Sequence, residues 1–247
     1  RGLGDVYKRQ ADGSLITPYQ IYGRAKGYPE LFYCEGSTIS LKGSTTRKIA
    51  FERTSKQHVR ISQNTVKDSV LVEKMLMNKQ NFKSAKDVDG FVPQASGLYC
   101  IRIKNVHLLP EPFGTILLER GHDILYIGIA SENLYNRFLN QELRAKGHGT
   151  FFRSMGAVLG YKPPKGSLIE KRNKKNYKFS KTDELKIIGW INENLMVNWV
   201  ESAGDLDSLE TSLIVKYLPL LNLSKNPAAL QILSYLRKEC VEIANRN

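Results

Sequence analysis

Two short strand-like segments, each with a tyrosine close to a glycine, constrain the fold of this chain more than any other feature. The first runs from Gly97 to Ile103, and apolar and polar residues alternate over much of its length. The second runs from Ile124 to Gly128 and ends in the triplet Tyr126–Gly128. Because such alternation is typical of strands, we predict that both segments belong to one small antiparallel sheet.

The stretch between and after these segments predicts further local structure. Ile116–Glu119 is predicted to be an additional strand, and Gly121–Asp123 the turn of a hairpin that leads into the second tyrosine segment. Ser131 lies where it can cap a following helix, which carries Leu134 and Phe138 on one face. These elements place the second tyrosine segment between a hairpin turn and a helix.

The last quarter of the chain adds one strand and two helices. Met196–Val200 is predicted to be a strand, and a Gly204–Asp205 turn leads from it into a helix that Pro219 ends. Asn226–Pro227 then opens a final amphipathic helix, whose apolar side consists of Leu230, Leu233, Leu236, Cys240 and Ile243. We therefore predict an α+β fold in which a small three-stranded antiparallel sheet is flanked by helices.

The 247 residues suffice for one large or two small domains, and a change of pattern near residue 93 favours two. We predict a smaller N-terminal α+β domain over residues 11–92 and a main domain over residues 93–247. The main domain contains a basic insertion at 144–181 and the C-terminal helix, while residues 1–10 are interpreted as an extraneous or truncated end. The elements predicted in the smaller domain are strands at 20–25, 30–34 and 40–46 and a helix at 66–79.

The net charge of +13 is concentrated in the basic insertion, where residues 144–181 hold eleven Lys or Arg and one acidic residue. Because such a density of charge can neutralise several phosphates, we predict nucleic-acid binding by Arg153, Lys171, Arg172, Lys174, Lys175 and Lys178. The interleaved Tyr177 and Phe179 are candidates for stacking on unpaired bases. The alternative interpretation is a solvated loop whose charges serve only solubility.

Several classes of protein are disfavoured by what the sequence lacks. No apolar stretch approaches the roughly 20 residues of a membrane span. The three cysteines are far apart and odd in number, which argues against a disulfide framework and favours a reducing, cytoplasmic setting. The four histidines lack zinc-site spacing, and neither a phosphate-binding GxxxxGK[ST] loop nor a GxSxG elbow is present.

The order of a few residues along the chain is more specific. Two tyrosines are followed by an arginine, a glutamate and an asparagine, namely Tyr99, Tyr126, Arg137, Glu210 and Asn222. Each lies in the strand or helix context predicted above, or just beyond it. This set resembles the catalytic residues of the GIY-YIG nuclease superfamily, and the resemblance covers about residues 96–224.

Other stretches carry the same resemblance. Trp199–Glu201 together with Leu221–Asn222 is similar to the end of the nuclease domain of the excision-repair member. Gly149–Leu159 resembles an insertion found in one bacterial branch of the family. Leu41–Ser44 resembles part of an uncharacterised accessory domain that accompanies some of these nucleases. We therefore interpret residues 11–92 as an accessory domain that positions the substrate.

The resemblance implies a divalent-metal-dependent endonuclease that hydrolyses phosphodiester bonds in DNA, with RNA left open as a substrate. Glu210 would anchor Mg²⁺ or Mn²⁺, since a hard cation prefers oxygen ligands. Arg137 would bind phosphate through its fork of donors. Tyr99 or Tyr126 would take the proton of the attacking water, which requires a neighbouring cation to lower the tyrosine pKa. Asn222 would orient a neighbouring group through neutral hydrogen bonds.

Alternatives remain at several of these positions. Many family members have His or Tyr four residues after the arginine, where this chain has Gln141, and His148 is the nearest histidine that can substitute. Glu210 lies three residues after Asp207, which is also the spacing of a capping box at a helix start. Two other functions also remain: a nucleic-acid-binding module without catalysis, and a structural or protein-interaction role.

Overall fold

The computed structural model describes residues 32–35, 38–41 and 69–247. The chain divides into two compact units, Arg1–Lys56 and Gln57–Asn247. In the first unit, strand β1 (Phe32–Glu35) pairs with the antiparallel strand β2 (Thr38–Leu41). These two strands overlap the strands predicted at 30–34 and 40–46. The accessory role of the N-terminal domain stays a prediction. The predicted extraneous end at 1–10 and the predicted strand at 20–25 lie outside the described residues.

The second unit is built on an antiparallel sheet whose strands are β3 (Lys83–Ser84), β4 (Gly97–Ile103), β5 (Ile124–Ala130) and β6 (Leu195–Glu201). The order of the strands is β3–β6–β4–β5, so β4 lies inside the sheet and β5 lies at one edge. The prediction of a small antiparallel sheet flanked by helices is confirmed. The two-residue strand β3 is a fourth member of the sheet that the sequence pattern did not indicate.

Residues 69–92, which we predicted to belong to the N-terminal domain, pack on this sheet. Ser84 of β3 pairs with Met196 of β6, and Val88 is fully buried in the core. The division of the chain therefore falls between residues 56 and 57 instead of near residue 93. The physical reason is that, without β3, one edge of β6 would be open; β3 pairs with that edge and satisfies its backbone hydrogen-bonding groups.

Helix α1, described over residues 69–77, lies within the helix predicted at 66–79 and packs on one face of the sheet. Leu76 is fully buried and Val72 packs beside it. Val70 and Met75 of the same helix are exposed.

The strand predicted at Ile116–Glu119 is instead the end of helix α2 (Phe113–Glu119). Phe113 and Leu117, one turn apart, are both buried, while Leu118 is exposed. A run of three apolar residues fits either a strand or a helix, and here the spacing of four between the buried residues decides for the helix.

The longer helices that follow are α3 (Tyr135–Leu143), α4 (Thr150–Val158), α5 (Lys181–Asn194), α6 (Leu206–Tyr217) and α7 (Gln231–Asn245). Helix α3 has π-helical hydrogen bonding. Its start is capped by Asn133, which accepts from the N–H of Asn136 at 3.0 Å, and not by Ser131 as predicted. Helix α7 begins at Gln231, later than the predicted start at Asn226–Pro227.

Both faces of the sheet are covered. Tyr99 and Ile101 of β4 pack with apolar residues of α3, α4, α5 and α7 on one face. Leu98 and Cys100 pack with α1 and α6 on the other face. Strand β4 is therefore buried on both sides, and its residues alternate between two cores. Among the described residues, no helix combines the length and apolar character needed to cross a membrane.

Candidate active site

Four of the five predicted catalytic residues meet in one cleft of about 500 Å³. The cleft is lined by Tyr99, Tyr126, Ile129, Ser131, Glu132, Asn133, Asn136, Arg137, Gln141 and Glu210. Strands β4 and β5 each contribute one tyrosine, α3 contributes the arginine, and α6 contributes the glutamate. Elements that are far apart in the chain thus bring two phenols, a guanidinium and a carboxylate together.

The register of the sheet fixes the two tyrosines. Tyr99 lies opposite Gly128 of β5, and its ring stacks on Phe138 of α3 with 4.7 Å between the ring centroids. The ring centroids of Tyr99 and Tyr126 are 6.2 Å apart, and the two rings are inclined by 23°. A Cβ atom at Gly128 would lie 2.5 Å from Tyr99 Oη. The glycine of the second triplet therefore makes room for the tyrosine of the first.

Arg137 is held by two residues of its own helix. Its Nη1 lies 2.9 Å from Glu142 Oε1 and donates to Gln141 Oε1 at 3.1 Å. In a π-helix, residues five apart are hydrogen-bonded neighbours, and this brings Arg137 and Glu142 together. The arginine side chain remains 34% exposed, so part of its guanidinium is accessible from the cleft.

Glu142 is a fully buried carboxylate that the sequence pattern did not single out. Its Oε1 accepts from Tyr99 Oη at 3.4 Å, and its Oε2 accepts from the backbone N–H of Phe152 in α4 at 3.2 Å. The N–H groups at a helix start stabilise a negative charge. A Cβ atom at Gly149 would overlap this carboxylate, so the glycine before α4 is required for the contact.

Burial dominates the proton affinities around the cleft. It raises the pKa of Tyr99 and Tyr126 above the ordinary value, and the charge of Glu142 adds to that effect. Arg137 acts in the opposite direction without outweighing burial, so the expected lowering of the tyrosine pKa is not obtained from the protein's own groups. Burial also raises the pKa of Glu142, against the effects of Arg137 and of the α4 N–H groups.

Glu210 lines the cleft with a side chain that is 13% exposed, and Lys225 Nζ contacts its Oε2 at 2.7 Å. The same Nζ contacts Asp207 Oδ1 at 2.5 Å. Helix α6 is capped by Asp205, whose Oδ1 accepts from the N–H of Ser208 at 3.1 Å. Glu210 is therefore not part of a capping box. No described residue donates a hydrogen bond to its Oε1, so this oxygen is available to a ligand.

Asn222 is buried and lies behind the cleft instead of lining it. Its Oδ1 accepts from the N–H of Ile127 at 3.0 Å, and its Nδ2 donates to the C=O of Ile127 at 2.8 Å. The amide thus satisfies both backbone groups of the β5 residue between Tyr126 and Gly128. Asn222 orients a neighbour through neutral hydrogen bonds, as expected, but that neighbour is the strand backbone.

The family model of the GIY-YIG catalytic domain matches residues 97–239, which is more than half of the chain. This chain belongs to the GIY-YIG family. The matched segment contains the five predicted catalytic residues and also Glu142 and Lys225. Comparison with curated proteins and with solved structures gave no match. Membership indicates a nuclease role in general and a nucleic acid as the substrate.

Within this GIY-YIG domain, His148 does not take the place of Gln141. Gln141 lines the cleft, whereas His148 is buried outside it, with Nε2 at 2.9 Å from Glu184 Oε1. The backbone N–H of Phe179 donates to His148 Nδ1 at 3.3 Å, and an accepting Nδ1 carries no proton. This agrees with burial lowering the pKa of His148 to about 4. The prediction that His148 takes over the role of the residue at position 141 is therefore wrong.

The basic insertion of the GIY-YIG domain is partly core. Helix α4 lies within it, and Phe151, Phe152 and Met155 are fully buried. Tyr177 and Phe179 are also buried, so their predicted stacking on bases is wrong. These two aromatic residues flank an exposed Lys178, and this alternation was the signal that they point inward.

The basic candidates differ in the same way. Lys171, Arg172, Lys174, Lys175 and Lys178 are exposed, and they stay candidates for binding phosphate. Lys174 Nζ donates to the carbonyl oxygens of Leu168 and Ile169, which ties it to its own loop. Arg153, in contrast, is only 8% exposed.

Proposed function

We propose that this GIY-YIG domain is a divalent-metal-dependent endonuclease that hydrolyses phosphodiester bonds in DNA. The observation that supports this most is the convergence of Tyr99, Tyr126, Arg137 and Glu210 on one cleft from four separate elements. Together they offer groups for a water molecule, a phosphate and a cation. The net charge of +13 favours a polyanionic substrate.

Glu210 is the residue that would hold a metal ion, either Mg²⁺ or Mn²⁺. Mg²⁺ is commonly bound through one or two carboxylates, with water and substrate phosphate as the other ligands. The site fits such an ion, because Oε1 of Glu210 is available while Lys225 holds Oε2. Among the described residues, no group of three or more His, Cys, Asp or Glu is arranged so that it could hold a metal ion, so a cage made only of protein ligands is not expected there. When bound, the ion would neutralise charge on the phosphate and lower the pKa of a bound water.

Arg137 is placed to bind the scissile phosphate. A guanidinium offers donors in a fixed fork that matches phosphate geometry. Because Glu142 and Gln141 already hold Arg137, its position is set before the substrate enters. Preorganised donors of this kind stabilise the charge that develops in the transition state.

Tyr99 and Glu142 provide a path for the proton that the attacking water must lose. Tyr99 Oη donates to Glu142 Oε1. As the phenol oxygen accepts a proton from water, its own proton can pass to the carboxylate, so a buried phenolate is never formed. The raised pKa of Glu142 makes it a stronger base than an ordinary carboxylate. Tyr126 is then left to donate a hydrogen bond to phosphate or water.

The test is incubation of the purified protein with supercoiled plasmid and Mg²⁺, beside an EDTA control and the Glu210→Ala variant. Nicking or linearisation that requires both the metal and Glu210 is the expected result. Mn²⁺, branched DNA, single-stranded DNA and RNA are tested in the same way. If none of these is cut while salt-sensitive binding persists, the enzyme proposal fails.

The Lys225–Glu210 ion pair favours a second candidate, a nucleic-acid-binding module without catalysis. In that case a protein cation already neutralises the carboxylate that would bind the metal. This candidate predicts salt-sensitive DNA binding that is unchanged in Glu210→Ala and no cleavage by the wild type. The plasmid assay and a binding titration of the same two proteins distinguish the candidates.

A further inference from the structure

Arg153 carries a buried charge that forms no ion pair with any described residue. The residue is only 8% exposed, yet none of the hydrogen bonds and ion pairs within residues 69–247 involves its guanidinium. Its Nε is sealed from solvent and has no partner, whereas the two terminal nitrogens are not among the sealed atoms. The end of the side chain therefore reaches the surface of the protein while its inner part does not.

Arg237 of α7 lies beside the same helix and is only partly satisfied. Its Nη1 donates to the carbonyl oxygen of Thr150 at 3.0 Å and to Ser154 Oγ at 2.8 Å, which fixes it against α4. Its Nε is also sealed from solvent without a partner. Burial lowers the pKa of Arg153, and the positive charge of Arg237 adds to that effect, while Glu142 acts in the opposite direction without outweighing them.

These two arginines lie next to the cleft. Phe152, the residue before Arg153, donates its N–H to Glu142, and Glu142 in turn contacts Arg137 and Tyr99. The charge of Glu142 is compensated by Arg137 at 2.9 Å. No described carboxylate forms an ion pair with Arg153 or Arg237, and Glu142 attracts Arg153 only from beyond ion-pair distance. The α4 side of the site therefore carries two positive charges without a counter-ion in direct contact.

An unpaired buried charge is costly, and the cost is removed when a ligand of opposite charge binds. A guanidinium fork matches phosphate better than any other common anion-binding side chain. We propose that Arg153 and Arg237 form a phosphate-binding site, which holds a backbone phosphate of a nucleic acid whose scissile phosphate lies in the neighbouring cleft. This inference rests on the proposed function, since it requires a nucleic acid in the cleft.

A phosphate-binding role and a purely structural role of Arg153 predict opposite effects of its removal on stability. In the free protein, Arg153→Met replaces a buried charge that has no ion pair with an apolar side chain of similar length, so Tm is expected to rise. Inorganic phosphate is expected to raise the Tm of the wild type relative to chloride at equal ionic strength, and to have a smaller effect on the variant. A fall in Tm for Arg153→Met would show that the fold uses the charge, and would overturn the site.

Binding of a short fluorescein-labelled DNA duplex, measured by anisotropy in EDTA over a series of salt concentrations, tests the ligand. Loss of one phosphate contact is expected to lower the salt slope of log Kd by about 0.9 and to weaken binding about equally for different sequences. Lys186→Met is the matched control, because it removes one positive charge from an exposed position of α5.

The outcomes separate this inference from the proposed function. If the wild type binds and cuts DNA but Arg153→Met has the slope of the wild type, or falls no further than Lys186→Met, the phosphate site is overturned alone. If the wild type shows no salt-dependent binding and no cleavage, both proposals fail. A reduced slope together with a raised Tm supports the site. Because the binding assay contains EDTA, it does not depend on catalysis.

Discussion

Arg137 and Arg153 lie on two helices that both contact the buried carboxylate of Glu142, but only Arg137 forms an ion pair with it. Arg137 is partly exposed and is fixed by Glu142, which compensates its charge. Arg153 is buried more deeply and forms no ion pair among the described residues. A charge that is compensated within the fold is suited to precise positioning, whereas an uncompensated one attracts a ligand. We propose that the two arginines divide the site into a region for chemistry and a region for binding.

The largest effect is expected at Glu210, on the chemical side. Glu210→Gln removes the proposed metal anchor with little change of shape, and cleavage is expected to fall at least about 10³-fold. Asp207→Asn is the matched control, because Asp207 contacts the same Lys225 but is 76% exposed and does not line the cleft. Its cleavage rate is expected to stay within about threefold of the wild type. Equal rates for both variants in a single-turnover assay would remove Glu210 from the mechanism.

Glu142→Gln would remove the ion-pair partner of Arg137, so that Arg137, like Arg153, has no ion pair. A neutral amide can still accept the N–H of Phe152, but it cannot take a proton from Tyr99, so cleavage is expected to fall about 10²-fold. The pH profile provides the second readout. Burial raises the pKa of Glu142 above its ordinary value, so wild-type cleavage is expected to fall as the pH drops through that raised pKa. The variant should lack this acid limb, and a rate and limb like those of the wild type would contradict the proton path.

Gly128→Ala moves Tyr99 relative to Glu142 without changing any charge. The new Cβ would lie 2.5 Å from Tyr99 Oη, so the ring or the strand must shift, at a cost of about 1–3 kcal/mol in unfolding free energy. Urea unfolding measures the loss, and cleavage should fall with it. Gly189→Ala in α5 is the control, since a Cβ there meets nothing within 4 Å. Equal stability of the two variants would show that Tyr99 is not confined by Gly128.

The smallest effect is expected at His148. The positive charge of Arg153 is one of the causes that lower the pKa of His148. The native ring is held neutral by burial, so the unfolded state binds a proton first as the pH falls from about 6.5 to about 4. Stability should be lost over this range, by on the order of 1 kcal/mol per pH unit.

His148→Gln should weaken this pH dependence, which urea unfolding at pH 7 and pH 5 measures. His107→Gln, at an exposed position, provides the control. The expectation fails if His148→Gln and the wild type lose the same stability between the two pH values.

The regular elements of the domain could be predicted because their signals are local. Strand β4 begins and ends where its pattern predicted, and α6 ends two residues before Pro219. The meeting of Tyr99, Tyr126, Arg137 and Glu210 was predicted only through their order along the chain, which resembles that of a known family. Their geometry depends on the register of β4 with β5, which no single segment specifies.

The partners of these residues could not be predicted in the same way. Glu142 lies five residues after Arg137, and a search for helical spacing of three or four does not pair them. Its other partner, the N–H of Phe152, becomes a neighbour only when α4 packs against α3. Lys225 reaches Glu210 from a loop fifteen positions later in the chain. Such contacts are made by tertiary packing, so local patterns contain no record of them.

Asn222 has a consequence for association as well as for the site. Strand β5 is an edge strand, and an open edge is a template on which other chains can add a strand and aggregate. The N–H groups of Leu220 and Leu221 donate to the C=O groups of Ile124 and Leu125, and Asn222 occupies both groups of Ile127. The segment 220–222 therefore covers the edge from Ile124 to Ile127, so this part of the strand that carries Tyr126 is not open to a further strand.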